Sequence, residues 1–248
     1  MRWAEAEELQ QTYGISATYG GIISKQGASL DAFKFTHDLL HFLSEKGVSI
    51  YDRTAVKDVQ YHRKHVVATT EEGRIIKAKK IVYCNGFESV EVIPEPFVKL
   101  LSTYAVVSEP FDTPEELEKI LLWNTADPYL YLRTTADHRL LVGGEDEPFT
   151  SGVQRDRMIG RKAARLEKKV AKYFPELPFI PDYTWAGTFG ETQDGLPYIG
   201  ARPDFPNAYF VLGFGGNGIT FSVIGMKMLS LHLTGKKHPL STYFAFNR

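Results

Sequence analysis

The chain has 248 residues, of which 43% are hydrophobic and 24% are charged, and its formal net charge is −1. This length is enough to bury one sizeable core or two interlocked ones, and the balanced charge excludes the general electrostatic attraction on which nucleic-acid-binding proteins depend. The single cysteine, Cys84, excludes an internal disulfide framework and a cysteine-rich metal site. We expect Cys84 to be a small buried side chain and predict no metal site.

The first residues, MRWAEAEELQQTYG, are acidic and polar, whereas a secretory signal peptide would be basic and then apolar. No segment approaches the roughly 18 consecutive apolar residues of a membrane-spanning helix. The sequence therefore predicts a soluble protein of the reducing cytoplasm, without a transmembrane segment.

The first third of the chain alternates between strand and helix patterns. Residues 15–24 are rich in β-branched and aromatic side chains and predict a strand. The following segment has apolar residues at helical spacing, with Ser29 or Asp31 as the expected cap and Gly47 as the stop. Residues 48–86 predict four or five strand segments, in which EEGR forms a hairpin turn.

In the middle of the chain, the segments LLSTYAVVSEP (100–110) and YLYLRTTADHRLLVGGE (129–145) alternate like strands of an antiparallel sheet, with ADHR as the turn of a hairpin. Two helices are predicted near it, one within DTPEELEKIL with Asp112 as the cap, and one within DRMIGRKAARLEKKVAKYF. The last segment predicts a short apolar strand, AYFVL, a glycine-rich turn and a helix to about Leu233.

The glycine-rich turn matches G-x-G-x-x-G at Gly213, Gly215 and Gly218. A Rossmann unit would place an acidic residue about 20 positions later, but that position falls on HLTGKKHPLST, which has no acid. The pattern is therefore a poor start for a Rossmann unit. Two interpretations remain: a helix N-terminus whose free N–H groups face an electron-rich ligand, or a turn needed only for tight packing.

Three further stretches accompany this turn in a characteristic order. They are LDAFKFTHDLLHFLSEKGVSIYDRTAVKDV, KIVYCNGF and TWAGTFGETQDGLPYIGARPDFPNAYFVLGFGGNGITFSVIGMKMLSLHLTG, the last with a W-x-G, a D-G-x-P-x-I-G and a G-x-G-G-x-G-I element. Together they resemble the flavoproteins of the D-amino acid oxidase and glycine oxidase family over most of the chain.

The resemblance implies FAD as the cofactor, with the glycine turn facing the pyrimidine side of the flavin ring. It also implies which residues contact the cofactor: Val56, Asn85, Gly86, Asp194, Gly195, Leu196, Pro197, Gly213, Phe214, Gly215, Gly216, Asn217, Gly218, Ile219 and Thr220.

Two departures from the family pattern stand out. Family members begin with a strand, G-x-G-x-x-G and a helix that hold the ADP half of FAD, and no such unit precedes EAEELQQTYGISATYGG, so we expect a member without its N-terminal portion. The family also places a substrate-binding arginine after W-x-G, whereas Phe189 and Glu191 stand in this segment here. Arg133 is the candidate to bind an anion instead, and Tyr129 and Tyr131 are candidates to line the substrate cavity. The alternative is ordinary strand packing, which the residues favour for Arg133 and leave open for the two tyrosines.

We therefore predict an α+β fold, in which the remnant of an FAD-binding domain (residues 1–97 and 183–248) is interlaced with an antiparallel-sheet substrate domain (98–182). The strand at 15–24 is a candidate to pair with that second sheet. By resemblance the function is oxidation of a CH–NH bond of a small amine or amino acid, with no assigned catalytic acid or base. The alternatives are oxidation of the CH–OH bond of a 2-hydroxy acid or glycerol phosphate, and a non-catalytic binding domain. The chain alone is expected to be inactive and to self-associate through an exposed sheet edge.

Overall fold

The computed structural model describes the whole chain, Met1–Arg248, as a mixture of helices and sheets, which confirms the predicted fold class. In chain order the strands are β1 (Arg2–Glu5), β2 (Gly20–Ile23), β3 (Val56–Tyr61), β4 (Val66–Thr70), β5 (Ile75–Ala78), β6 (Ile81–Tyr83), β7 (Lys99–Ser108), β8 (Leu121–Trp123), β9 (Leu130–Thr134), β10 (Leu140–Pro148), β11 (Pro181–Glu191), β12 (Tyr198–Gly200) and β13 (Ala208–Leu212). The helices are α1 (Ala6–Tyr13), α2 (Ala32–Glu45), α3 (Glu115–Glu118), α4 (Gly152–Arg157), α5 (Ile159–Tyr173) and α6 (Gly218–Leu233).

The chain divides into two compact units. Unit 1 contains Met1–Glu45 and Ser102–Thr188, and unit 2 contains Lys46–Leu101 and Phe189–Arg248. The first 45 residues thus cluster with the middle of the chain, although the sequence groups them with the predicted cofactor-binding part. The assignment of these parts as FAD-binding and substrate domains stays a prediction.

Unit 1 is built on a five-stranded sheet in the order β11-β7-β10-β9-β8. Its pairs β8/β9 and β9/β10 are antiparallel, and the turn between β9 and β10 is the predicted ADHR hairpin. One face of the sheet packs against α5, because Leu130, Leu132 and Val142 are fully buried with Leu166 and Val170 of that helix. Alternate residues of a strand point to opposite faces, so the odd-numbered residues of β9 lie on the other, open face.

The N-terminal segment of unit 1 corrects the strand predicted at 15–24. Only Gly20–Ile23 is extended, and it pairs antiparallel with β1 in a separate two-stranded sheet rather than with the larger one. Ile15 is buried in the core of the unit and the Ser16 N–H donates to the carbonyl of Tyr173. This part of the apolar run is therefore a core-packing loop. β-branched composition alone does not distinguish such a loop from a strand.

Two predicted helix caps have different outcomes. The Asp31 Oδ1 accepts a hydrogen bond from the Lys34 N–H at 2.9 Å at the start of α2, and Gly47 follows its end in a left-handed conformation, as predicted. Asp112 does not cap α3, whose N-cap is Pro114 and which is only four residues long. An N-cap residue stabilises a helix that extends beyond it. Here the helix ends at Glu118 and the chain enters β8 at Leu121.

Unit 2 contains two three-stranded sheets, β12-β13-β6 and β3-β4-β5. In the first, β13 runs parallel to β6 and antiparallel to β12. All five residues of β13 are buried, with α6 on one side and the aromatic side chains of Phe205 and Phe246 on the other. The second sheet contains the predicted EEGR turn, in which the Thr70 N–H donates to the carbonyl of Arg74.

Two further features concern the exposed surface. No helix in the structure has both the length and the apolar character that crossing a membrane requires. Cys84 is exposed, which corrects the expectation of a buried side chain. It lies just beyond β6, and β6 is an edge strand of its sheet.

Candidate functional site

Three of the segments predicted to contact the cofactor meet at one edge of the sheet β12-β13-β6. The parallel register pairs Phe210 with Tyr83, so Asn85 and the glycine loop 213–217 both follow the carboxyl ends of their strands. The antiparallel register pairs Tyr198 with Leu212, which brings the turn 194–197 to the same edge. Ligands of sheets with parallel strands bind outside these carboxyl ends. The geometry therefore makes this edge the candidate cofactor site.

The glycine loop turns sharply between β13 and α6. Gly213 has φ +74°, and a Cβ added to it would lie 2.9 Å from Thr192 Cγ2, so this position requires glycine. The Gly215 N–H donates to the carbonyl of Gly190 at 3.1 Å, which fixes the loop against the end of β11. This contact places Phe189 and Glu191, the two neighbours of Gly190 and both predicted substrate residues, beside the loop.

The N-terminus of α6 leaves donors free. The first intrahelical bond is made by Phe221, whose N–H donates to the carbonyl of Asn217, and the Asn217 side chain makes no capping bond. The N–H groups of Gly218, Ile219 and Thr220 consequently have no acceptor within the chain. Such a terminus favours a partial negative charge by about 0.3 to 1 kcal/mol at an exposed site.

Asn85 provides a further sign that a ligand belongs at this edge. Its side-chain Oδ1 is buried and has no hydrogen-bond partner, and the next residue, Gly86, has a left-handed φ of +59°. A buried polar atom without a partner costs about 1 to 3 kcal/mol. A ligand group that donates a hydrogen bond to Asn85 would remove that cost, so the orphaned atom fits a bound polar cofactor.

Asp194, another predicted cofactor residue, already has a partner in the chain. The Arg248 guanidinium donates to both oxygens of the Asp194 carboxylate, at 2.6 and 2.8 Å, and to the carbonyls of Leu196 and Pro197. This bidentate contact lowers the pKa of Asp194 well below its usual range. The turn 194–197 is therefore held in shape by Arg248, and Asp194 has a structural role whether or not the turn contacts a cofactor.

Val56, the remaining predicted cofactor residue, is the first residue of β3. It pairs with Thr70 and its exposed fraction is 51%. An exposed valine at a strand start is available for contact with a ligand.

The other predicted substrate residues lie together on the open face of the sheet in unit 1. Tyr129, Tyr131 and Arg133 alternate with the buried Leu130 and Leu132, and the two tyrosine rings are 6.1 Å apart. The Tyr131 ring covers Gly143 of the neighbouring strand, where a Cβ would lie 2.2 Å from the tyrosine Oη. Arg133 donates to the carbonyl of Thr134 at 3.1 Å and pairs with no carboxylate of the chain.

Two cavities of the structure lie away from the glycine loop, and the sequence indicated neither. One of about 290 Å³ in unit 2 lies at the opposite, amino end of β6 and β13, between Lys80, Asn207 and His232. One of about 460 Å³ in unit 1 lies on the helix side of the sheet, where Glu147, Arg155 and Arg157 line it. The glycine loop lies in neither cavity, so the assignment of its candidate site depends on the strand ends and the orphaned polar groups.

Sequence reasoning also missed a buried ion-pair network on the helix side of unit 1. Lys162 of α5 is 4% exposed, and its Nζ lies 2.9 Å from Glu147 Oε2 and 2.7 Å from the carbonyl of Glu145. Glu145 is 5% exposed and pairs with Lys169 at 2.6 Å. Charged residues on a helix ordinarily face solvent, and the i, i+7 spacing of Lys162 and Lys169 on one face was the available signal.

Comparison with known proteins identifies relatives over nearly the whole chain. The model of a family described as FAD-dependent oxidoreductase matches residues 1–230. The gamma-glutamylputrescine oxidoreductase of Escherichia coli is 27% identical over 93% of this chain and 54% of its own length. The probable oxidoreductase OrdL of Haemophilus influenzae is 22% identical over 98% of this chain and 56% of its own length. The chain thus spans about half the length of these curated relatives.

Solved structures support the same fold. Glycine oxidase from Geobacillus kaustophilus superposes with a TM-score of 0.85 at 20% identity, covering 100% of this chain and 66% of that one. These values show that the two chains share a fold.

Proposed function

Because the chain belongs to the D-amino acid oxidase family of FAD-dependent oxidoreductases, we propose that it carries flavin-contacting and substrate-binding residues of an enzyme that oxidises a CH–NH bond of an amine or amino acid. The observation that carries this proposal is the open sheet edge where Asn85 and the free N–H groups of α6 converge. FAD, when bound, supplies the acceptor for the hydride that leaves the substrate carbon.

The chain's own residues have distinct roles in this proposal. The N–H groups of Gly218, Ile219 and Thr220 would stabilise negative charge on the bound cofactor, because the positive end of the α6 dipole lies there. Asn85 would accept a hydrogen bond from it. The tyrosines of the open face in unit 1 would line the substrate site, and Arg133 would bind a substrate carboxylate.

A substrate panel tests the proposed reaction. The natural gene product, loaded with FAD, is expected to reduce a redox dye with primary and secondary amines. Reduction only by 2-hydroxy acids or glycerol phosphate would instead support CH–OH oxidation. Flavin that is retained without reduction by either class would contradict both reactions and support a non-catalytic role.

The substitution Gly216→Val tests the glycine loop. A Cβ at Gly216 would have no atom within 4 Å and its φ is not left-handed, so the fold should accept valine. We expect an unchanged melting temperature without flavin but at least a roughly tenfold weaker affinity for FAD, because the side chain would occupy the space of the ligand. Gly200→Val, at an equally open glycine of β12, should retain full affinity. Equal FAD affinity of both variants would show that the loop serves packing only.

The substitution Arg133→Ala tests carboxylate recognition. A hydrogen bond to a charged group contributes about 1.5 to 3 kcal/mol, so KM for carboxylate-bearing amines should rise about 10- to 150-fold, with little change for amines that lack a carboxylate. Arg161→Ala removes the same charge from the exposed side of α5 and should leave both KM values unchanged. An unaltered KM for every carboxylate substrate in Arg133→Ala would reject the role.

A further inference from the structure

Three consecutive acidic residues near the end of β10, Glu145, Asp146 and Glu147, have unequal surroundings. Glu145 and Glu147 contact the cations of α5 on the helix side of the sheet. Burial raises the pKa of both carboxyl groups, but the hydrogen bonds and charges of their partners outweigh it and hold each pKa below its usual value. Both glutamates therefore have their charge compensated within the chain.

Asp146 has no such compensation. Its Oδ1 is buried without a hydrogen-bond partner, and no Lys, Arg or His pairs with it. Most buried carboxylate oxygens in proteins are hydrogen-bonded, because an unpaired one forfeits its hydration without return. A donor from outside the chain would satisfy this unpaired oxygen.

The backbone of β10 explains why Asp146 differs from its neighbours. Two consecutive residues have positive φ angles: Gly144 at +135° and Glu145 at +58°, a left-handed value that non-glycine residues rarely adopt. This irregularity shifts the alternation of the strand by one residue. Glu145 and Glu147 consequently face the helix, and Asp146 lies on the open face with Tyr131. The Tyr131 phenol is close enough to feel the charge of Asp146. Burial is the largest cause that raises the pKa of Tyr131, the Asp146 carboxylate raises it further, and Arg133 lowers it.

The register fixes the order of these residues along the open face. Gly143 pairs with Tyr131 and Leu141 with Arg133, so β10 residues after Gly143 lie toward Tyr129. Tyr131 thus lies between the Arg133 guanidinium, which donates to the carbonyl of Thr134 and pairs with no carboxylate, and the Asp146 carboxylate, whose Oδ1 has no partner. Leu141, which lies opposite Arg133, and Asp146 are five residues apart along β10, on the order of 16 Å in a regular strand.

We propose that Asp146 binds the ammonium group of the substrate and so selects amines over hydroxy compounds. This inference rests on the proposed function and adds the residue that recognises the nitrogen. With Arg133 at the other end of the same face, it assigns the substrate to the small molecules that carry both an amine and a carboxylate. A hydroxyl in place of the ammonium would leave the Asp146 charge uncompensated, which is the stronger form of discrimination.

Cation binding to the full 248-residue chain tests Asp146 without flavin. Ethylammonium, acetate and glycine are titrated against chain labelled with ¹³C at the tyrosine Cζ, and the Tyr131 signal is assigned with Tyr131→Phe. Asp146→Asn should weaken the binding of ethylammonium at least tenfold and leave that of acetate unchanged. It should also lower the Tyr131 pKa, because it removes the negative charge. Asp112→Asn, the same change at an exposed aspartate of unit 1, should alter none of these values.

The stability and the cation affinity of the Asp146 variants test the proposal further. Asp146→Asn should fold with an unchanged or higher melting temperature, because an uncompensated negative charge is removed, and Asp146→Glu should retain part of the cation affinity. Equal ethylammonium affinity of Asp146→Asn and wild type, or no measurable binding to wild type, would overturn the proposal. Flavin retention and the dye-reduction panel report on the proposed function alone, so the two can fail separately.

Discussion

A polypeptide limited to residues 1–248 is expected to be colourless after gel filtration, even when it is folded. Its G-x-G-x-x-G match is the loop at 213–218, after β13, which is proposed to face the flavin ring, and none of the proposed contacts involves the ADP half of FAD. At about 0.3 kcal/mol per heavy atom, the roughly 27 atoms of that half correspond to about 8 kcal/mol of binding. This is nearly six decades of affinity.

Spectra and oligomeric state of the purified polypeptide check this expectation. The apolar side of α2 is exposed at Phe33, Phe35 and Phe42, and β6 is an edge strand. Both features favour association with another copy, so elution should depend on concentration. A stoichiometric flavin absorbance that survives gel filtration would show that the site is complete within these residues.

The substitution Lys162→Met is expected to lower the free energy of unfolding by about 3 to 5 kcal/mol, the usual effect of removing one partner of a buried ion pair. Lys162 is 4% exposed, donates to the Glu145 carbonyl and lies 5.1 Å from the centre of the Tyr104 ring. Methionine fills a similar volume but leaves Glu147 with only the Tyr104 hydroxyl as a donor. Lys168→Met, at an exposed position of the same helix, should change the free energy by less than about 0.5 kcal/mol.

The loss of unfolding free energy in Lys162→Met should depend on pH. The folded-state pKa values of Glu145 and Glu147 are lowered, so their stabilising contribution is complete above the unfolded-state value of about 4.3 and is lost as the pH falls through the folded-state values. The difference between wild type and Lys162→Met should therefore narrow on acidification. Chemical denaturation across this pH range measures it, and a loss as small as that of Lys168→Met at neutral pH would show that the network does not stabilise the fold.

Local patterns predicted much of the architecture. The turns EEGR and ADHR, the start of α2 at Asp31 and the glycine loop before α6 all follow from residues within a few positions of one another. Backbone preferences and helical spacing act over that range, and for this reason the sequence shows them directly. The strand predicted at 15–24 and the Asp112 cap were wrong because packing of a loop into the core, and the early entry into β8, override the same preferences.

The sequence by itself therefore determined most of the elements, the family resemblance and the candidate residues of the glycine loop. Only the tertiary structure decided which charges are compensated. Arg248 binds Asp194 across 54 positions, and Lys162 reaches Glu145 and Glu147 from a different element. Whether Asp146 joins these pairs or stands alone depends on the backbone irregularity at Gly144 and Glu145. Side-chain direction in a strand reverses with each residue, so a local backbone irregularity moves a carboxylate from the helix side of the sheet to the face that we propose binds substrate.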